Sequence, residues 1–246
     1  MGNDGHTLFI ADLHLDASSR PDTCTLACRF FQEAAGADAL YILGDFVEYW
    51  LGDDMGNPGL ASVFDALEQL GTSGTALHLM HGNRDFLIGE TFAEQVSATL
   101  HRDDVKAFNV ASGESALLLH GDTLCTDDVD YQKLRRLLRS ELWQQQFLSL
   151  SPEERLLEAK KLRDASKAAL ADKQTEIMDV NQQAVDALMQ THASHTLIHG
   201  HTHRPADHVW NSDDASYRRL VLGDWQADHA KFVRYDGLDF TLETFR

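Results

Sequence analysis

Short runs of aliphatic and β-branched residues punctuate the chain at 7–11, 39–43, 75–80, 115–120, 196–199 and 220–222. Most are apolar on successive positions rather than alternate ones, so the strands they predict are buried on both faces. Between them lie stretches with apolar residues three and four apart, as from Cys24 to Ala35, which predict helices. Two further runs, 231–235 and 240–245, flank a segment that begins Asp236-Gly237, a hairpin signal. Strands alternating with helices predict an α/β molecule whose sheets are covered by helices. No internal repeat and no low-complexity tract interrupts the pattern. At roughly 100–200 residues per domain, 246 residues suit one large domain, or one domain with an insertion. Such a chain can bury its core without disulfides.

The residues that follow each run carry the chemistry. Asp12-Leu13-His14 follows the first, Gly44-Asp45 the second and His81-Gly82-Asn83-Arg84-Asp85 the third. His120-Gly121-Asp122 closes the fourth, and His199-Gly200-His201-Thr202-His203 the fifth. Ligand sites of α/β sheets gather outside the carboxyl ends of strands. Five such ends bring Asp, His and Asn to one edge.

Composition narrows the classes. The formal net charge is −18, a field that repels phosphate backbones and disfavours nucleic-acid coating, while a local cationic site can still hold an anionic substrate. The three cysteines, Cys24, Cys28 and Cys125, form no CxxC pair, so neither a disulfide framework nor a zinc knuckle is indicated. No run approaches 18 apolar residues, and the first residues lack a cationic and apolar signal segment. A cytoplasmic setting is therefore expected.

Asp12, His14, Asp45, Asn83, His120, His201 and His203 offer carboxylate, amide and imidazole ligands but no thiolate. One hydrolytic metal normally takes three protein ligands plus water. Seven candidates suit two ions, which at about 3.5–4 Å separation need a shared anion and can clamp an in-line phosphoryl displacement.

In this order, DxH, GD, GN, H and GHxH, the chain resembles the calcineurin-like metallophosphoesterases over almost its whole length. Within that superfamily it is most similar to the UDP-2,3-diacylglucosamine hydrolase (pyrophosphatase) branch of lipid A biosynthesis. The resembling stretches are FIADLHL at 9–15, ALYILGDFVEYWLGDD at 39–54, HGNRDFLIG at 81–89, HGDTLCTDD at 120–128, IMDVNQ at 177–182 and LIHGHTHRP at 197–205. The resemblance implies an αββα sandwich over residues 1–246 with a helical lid insertion at about 128–186. It implies one metal on Asp12, His14, Asp45 and His203 and a second on Asp45, Asn83, His120 and His201, with Asp45 bridging and Mn²⁺ the usual ion. The implied reaction takes UDP-2,3-diacylglucosamine and water to 2,3-diacylglucosamine 1-phosphate and UMP. A metal-bound hydroxide attacks the α-phosphorus, and no side chain acts as nucleophile. Asn83, Arg84, Asp128, Ser166, Lys173 and His201 are implied substrate contacts, with Tyr131 and Arg163 near the phosphates or sugar. The branch usually has Asn where this chain has Leu170, a departure that touches glucosamine or acyl recognition.

Arg84 permits an independent argument. Many superfamily members carry His there, as the acid that protonates an alkoxide leaving group. A guanidinium cannot donate a proton usefully near pH 7, but it can pair with phosphate oxygens. A leaving group that is itself a phosphate needs little protonation, so Arg84 favours a pyrophosphate substrate.

Residues 133–173 hold ten Lys/Arg and six Asp/Glu, a net +4 in an acidic chain. The same segment carries Leu134, Leu137, Leu138, Leu142, Trp143, Phe147, Leu148, Leu156, Leu157 and Leu162, and Ser151-Pro152-Glu153-Glu154 is a helix start. An amphipathic helical pair packed on the core explains the leucines. It does not explain the cations, which suit a lid that holds acyl chains and meets the inner-membrane surface peripherally, at its cytoplasmic face. Two other readings are a phosphoesterase for soluble nucleotides or pyrophosphates, and a metal-free binding scaffold. The first lacks a use for a leucine-rich lid; the second would have lost ligands. Asp85, Asp122 and Asp127 are candidates for orienting ligand histidines or Arg84. His81 and His199 read as structural, and Glu48, Tyr49, Trp50, Asp53 and Asp54 have no assignable role from sequence.

Overall fold

A computed structural model describes residues 5–111, 113–171, 179–212 and 215–246. Lys173 and the start of the IMDVNQ stretch lie outside the described residues, as does the side chain of Leu170. The elements in chain order are β1 (Thr7–Ile10), α1 (Pro21–Glu33), β2 (Ala39–Leu43), α2 (Ala61–Thr72), β3 (Ala76–Met80), α3 (Glu90–Gln95), β4 (Ala98–His101), β5 (Lys106–Asn109) and β6 (Ser115–Leu119). There follow α4 (Val129–Leu138), α5 (Glu141–Leu148), α6 (Pro152–Ala171), α7 (Gln182–Thr191), β7 (Thr196–His199), β8 (Ala206–Ser212), β9 (Ala215–Val221), β10 (Ala230–Tyr235) and β11 (Phe240–Phe245).

The strands form two sheets. One has the order β11-β10-β1-β2-β3-β4, with β1 to β4 parallel and β10 antiparallel to β1. The other has the order β5-β6-β7-β9-β8, with β6, β7 and β9 parallel between antiparallel edge strands. Side chains alternate across a strand, and here both faces are covered. Leu8 and Ile10 of β1 join the cluster that includes Leu26, Phe30 and Phe31 of α1 and Val63 and Leu67 of α2, whereas Phe9 and Ala11 join the cluster between the sheets. On β6, Leu117 and Leu119 pack with Val185 and Met189 of α7, and Ala116 and Leu118 fill the inter-sheet space. Helix, sheet, sheet, helix is the αββα order expected.

The sequence pattern misses β4, β5 and β8, and it starts β9 five residues late. These strands lie at or beside sheet edges, and their buried positions are few: β8 is exposed at five of seven residues. A strand without an apolar face leaves no period to read.

Helices α4, α5 and α6 form a cap beside the sandwich. The leucines at 134, 137, 138 and 142 do not share one helix: α4 ends at Leu138, and Ser140 caps α5 by accepting from the Trp143 N–H. Helix α6 starts at Pro152 as its sequence suggests, with Glu154 accepting from the Ser151 N–H at 2.9 Å and Ser151 Oγ accepting from Glu154 N–H at 3.4 Å. Phe147 is buried, and Trp143 stacks on it at 4.9 Å while facing Phe86 at 6.1 Å. The strongest polar tie is Arg155, 5% exposed. Its guanidinium donates to the Leu51 carbonyl at 3.0 Å, to Asp54 Oδ1 at 2.7 Å, to the Leu150 carbonyl at 3.1 Å and to the Leu148 carbonyl. Asp54 and the Leu51 carbonyl thereby join the sandwich loop to the cap, a use that sequence did not reveal.

Arg155→Met keeps the stem's length but leaves the buried Leu51 carbonyl without its donor, at about 1–3 kcal/mol for a group that water cannot reach. Urea denaturation should show a loss within that range, and amide exchange of α5 and the first turns of α6 should accelerate more than that of β1 or β2.

Candidate metal centre

The carboxyl ends of β1, β2, β3, β6 and β7 converge where the two sheets abut. The loops lean on one another through backbone: Asp12 N–H donates to the Gly44 carbonyl at 3.1 Å, His14 N–H to the Asp45 carbonyl at 2.9 Å, and Gly200 N–H to the His120 carbonyl at 2.8 Å. Approach is so close that a Cβ on Gly82 would meet the Asp45 carboxylate and backbone nitrogen, and one on Gly44 would meet the Gly82 backbone. Only glycine fits at either place.

Among the described residues, seven non-glycine residues have left-handed backbone, and five of them are Asp12 (φ 57°), His14 (48°), Asp45 (51°), His201 (68°) and His203 (55°). Each costs about 1–2 kcal/mol, and such residues gather at functional sites. The strain falls on candidate ligands.

Two clusters result. In the first, His14 Nε2 lies 3.1 Å from His203 Nε2 and 3.6 Å from Asp45 Oδ2, and His203 Nε2 lies 3.5 Å from Asp12 Oδ1. In the second, Asn83 Oδ1 is 2.9 Å from His120 Nε2 and 2.8 Å from His201 Nδ1, while Asp45 Oδ1 is 3.7 Å from His120 Nε2. Asp45 thus offers one oxygen to each cluster. Ring nitrogens and carboxylate oxygens aim at shared points, and the buried Asp12 Oδ1 has no hydrogen-bond partner. An orphan carboxylate oxygen among imidazole lone pairs is the donor set a divalent cation satisfies. The residues fit two ions.

The far nitrogens are fixed as metal-binding histidines require. His120 Nδ1–H donates to the Leu43 carbonyl at 3.0 Å, and His14 Nδ1–H donates to Glu48 Oε2 at 3.0 Å. Charge follows this arrangement. Burial pushes the Asp12 carboxyl up, but His203, His120 and His14 around it prevail and hold it below the usual range. Burial lowers His14, yet Glu48, Asp45 and Asp12 raise it overall. His201 is pulled down to about 4, by burial and then by His120. Asp85, wholly buried, is pushed up to about 6 by burial and by the charge of Asp45.

A model of the calcineurin-like phosphoesterases matches residues 5–205. The chain belongs to that family. A UDP-2,3-diacylglucosamine hydrolase of Azotobacter vinelandii is 45% identical over 242 residues, covering 97% of this chain and 98% of that protein. One of Pseudomonas entomophila is 49% identical over 221 residues, covering 89% and 90%. A solved dimetal phosphatase from Danio rerio superposes with a TM-score of 0.53 at 14% identity, covering 98% of this chain and 95% of that one. That last likeness speaks for the fold alone.

Within this phosphoesterase, Asp85 explains itself. Its carboxylate accepts from Gly82 N–H at 2.8 Å and from Phe46 N–H at 2.7 Å, so it clamps the Asp45 and Asn83 loops together. Asp122 accepts from Tyr131 Oη at 2.8 Å and Arg135 Nε at 2.7 Å, and the Tyr131 ring lies over His201 at 5.9 Å. Asp127 accepts from Asn181 Nδ2 at 3.0 Å, a tie between loops. Asp128 caps α4 by accepting from the Tyr131 N–H at 3.0 Å. Asn83, Arg84, Asp128, Tyr131, Ser166 and His201 line one cleft of about 710 Å³ over the clusters. Arg163 lines an adjoining apolar cavity with Arg84 and Ser166. Sequence assigned no role to Glu48 or Asp53. Asp53 accepts from Trp50 Nε1 at 2.9 Å, Gly89 N–H at 2.9 Å and Phe92 N–H at 3.0 Å, fixing the start of α3. Their signal was position alone, in the loop after Asp45.

His199 supports the floor. Its Nδ1–H donates to the Gly200 carbonyl at 2.8 Å and its Nε2 accepts from Arg219 at 3.2 Å. Burial, then the Arg219 charge, lower it to about 3, so it stays neutral in the fold. Below its unfolded pKa near 6.5 only the unfolded chain takes this proton, and stability falls with pH from there to about 3. Titrating stability by urea between pH 7 and 5 should give a shallower decline for His199→Gln than for the parent chain. Gly82→Ala should displace Asp45 and abolish tight binding of at least one ion, read by calorimetric titration with Mn²⁺.

Proposed function

We propose that this phosphoesterase hydrolyses the pyrophosphate bond of UDP-2,3-diacylglucosamine, giving 2,3-diacylglucosamine 1-phosphate and UMP. One observation carries the reading: the cleft over the two ligand clusters opens into an apolar cavity under the cap. Trp50, Phe86, Leu134, Leu138, Trp143 and Leu162 line that cavity, and Asn83, Arg84, Tyr131, Leu134, Leu162 and Ser166 border both spaces. A diphosphate joined to acylated sugar has both kinds of surface. The names of the relatives agree with it. A soluble nucleotide would leave the cavity without a use.

When bound, two divalent ions, Mn²⁺ in this proposal, supply positive charge at the phosphate oxygens and an acidified water. Asp12, His14, Asp45 and His203 would hold one, and Asp45, Asn83, His120 and His201 the other. Arg84 meets the phosphate leaving group and stabilises charge spreading over it. That group departs as a phosphate, so no acid is required at this position. Asn83, Asp128, Ser166 and His201 orient the substrate from the walls of the cleft, and Lys173 completes the set. Leu162 and the aromatic side chains exclude water around the acyl end.

The cap also supplies the membrane-facing part of the reading. Leu137, Leu142, Leu156 and Leu157 are 50–66% exposed beside the exposed cations Lys133, Arg136, Lys160 and Lys161. Exposed leucines among cations suit an anionic lipid surface on which the chain rests peripherally, at the cytoplasmic face of the inner membrane. No described helix is long and apolar enough to cross a membrane.

The deciding assay runs the Mn²⁺-loaded protein on UDP-2,3-diacylglucosamine and on UDP-sugars without acyl chains, in water enriched in oxygen-18. Turnover is expected on the acylated substrate, with the label in UMP. Label in the lipid phosphate would place attack at the other phosphorus, and equal turnover of both substrates would favour the soluble-pyrophosphate reading. Arg84→His removes a charge-assisted contact worth about 1.5–3 kcal/mol, and kcat/KM should fall roughly ten- to a hundred-fold.

A further inference from the structure

Glu48 stands at a junction that neither the ligand set nor the substrate contacts account for. Its Oε2 accepts from the ring of His14 at 3.0 Å. Its Oε1 accepts from Arg163 Nη2 at 3.1 Å and lies 3.8 Å from Arg84 Nη1. These three partners come from three places: the loop after β1, the loop after β3, and helix α6 of the cap. The Arg163 guanidinium also lies over the Tyr49 ring, 5.4 Å from its centre, so its position is fixed from two sides. Two guanidinium groups share one carboxylate oxygen, and the Glu48 side chain is only 23% exposed.

We infer that Glu48 is a positioning residue with two separate duties. Its Oε2 sets the His14 ring so that Nε2 faces the first cluster. Its Oε1 holds Arg84 and Arg163 beside the cleft in the free protein, in the place where a substrate phosphate later takes them over. A phosphate carries more negative charge and more acceptor oxygens than one carboxylate oxygen, so the exchange favours the substrate. Through this side chain the cap is tied to the metal centre before any substrate arrives. The inference takes the anionic substrate from the function proposed above, whereas the geometry that motivates it does not.

Two variants separate the duties. Glu48→Gln keeps an oxygen that can accept from His14 but loses the charge that holds the two arginines. Glu48→Ala loses both. Mn²⁺ titration of the substrate-free protein is expected to show one of two binding steps weakened 10–100-fold in Glu48→Ala, with the other step close to wild type. Glu48→Gln should restore the weakened step. Hydrogen exchange on the same proteins should show faster amides over residues 159–166 in both variants. Unchanged Mn²⁺ binding in Glu48→Ala, or a Gln variant as weak as the Ala variant, would overturn the first duty. Unchanged exchange in α6 would overturn the second. Neither measurement uses the lipid, so a chain that failed to cleave UDP-2,3-diacylglucosamine would leave this test standing.

Discussion

Asp12 and Asp45 are both buried, at 0% and 1% exposure, and each lies within 4 Å of ligand imidazoles. Their ligand oxygens lie within 4.8 Å of one another, and buried carboxylates this close repel one another and have lost most of their water. The backbone that carries them is left-handed at five candidate ligands, a cost of the same order as the net stability of many domains. Local preference would relax every one of these residues. They stay because the sandwich over-determines them, and the charge they concentrate is the charge that two divalent ions neutralise.

The over-determination can be traced bond by bond. Parallel β1, β2 and β3 deliver three loops at one height, and Asp85 clamps two of them by taking N–H donors from Gly82 and Phe46. Across the inter-sheet core, the β6 and β7 ends are joined by Gly200 N–H to the His120 carbonyl, and the two sheets meet where His201 N–H donates to Asp12 Oδ2 at 2.8 Å. His120 reaches back to the Leu43 carbonyl at the end of β2. A one-residue slip in any of these strands would turn its ligand away. The dense packing of Phe9, Tyr41, Phe108 and Phe240 between the sheets prevents it.

Much of this was legible in the residues themselves. Buried central strands write themselves as apolar runs, and the seven candidate ligands follow them, so an α/β molecule with its chemistry gathered at one sheet edge could be read, while the αββα order came from the resemblance to the phosphoesterase family. Edge strands such as β8, paired on one side and mostly exposed, leave no such trace. Contacts made at a distance were also silent. Nothing in Glu48 or Arg155 as letters says that one serves His14 and the other the Leu51 carbonyl; only the fold brings β2's following loop against α6. Asp122 and Asp127 looked alike in sequence and proved to be an arginine and tyrosine partner and a loop tie.

The cap's net +4 likewise resolves into groups with different duties. Arg155 is spent on carbonyls and Asp54, and Arg135 is matched by Asp122 and by Asp104 at 2.5 Å. Lys133 and Lys161 pair with Asp130 and Glu158 one helical turn away, exposed to solvent, where such pairs count for little. Arg139 lies over the Phe86 ring and donates to the Gly82 carbonyl, while Arg163 and Arg84 share Glu48. Four guanidinium groups, Arg84, Arg135, Arg139 and Arg163, thus line the apolar cavity against the two carboxylates Glu48 and Asp122. The acidity of the whole chain does not cancel them, because exposed carboxylates more than about 8 Å away are screened by physiological salt. Charges lining a cleft with apolar walls are screened far less. A molecule with a net charge of −18 can therefore present a locally cationic wall in the cavity that adjoins the two clusters.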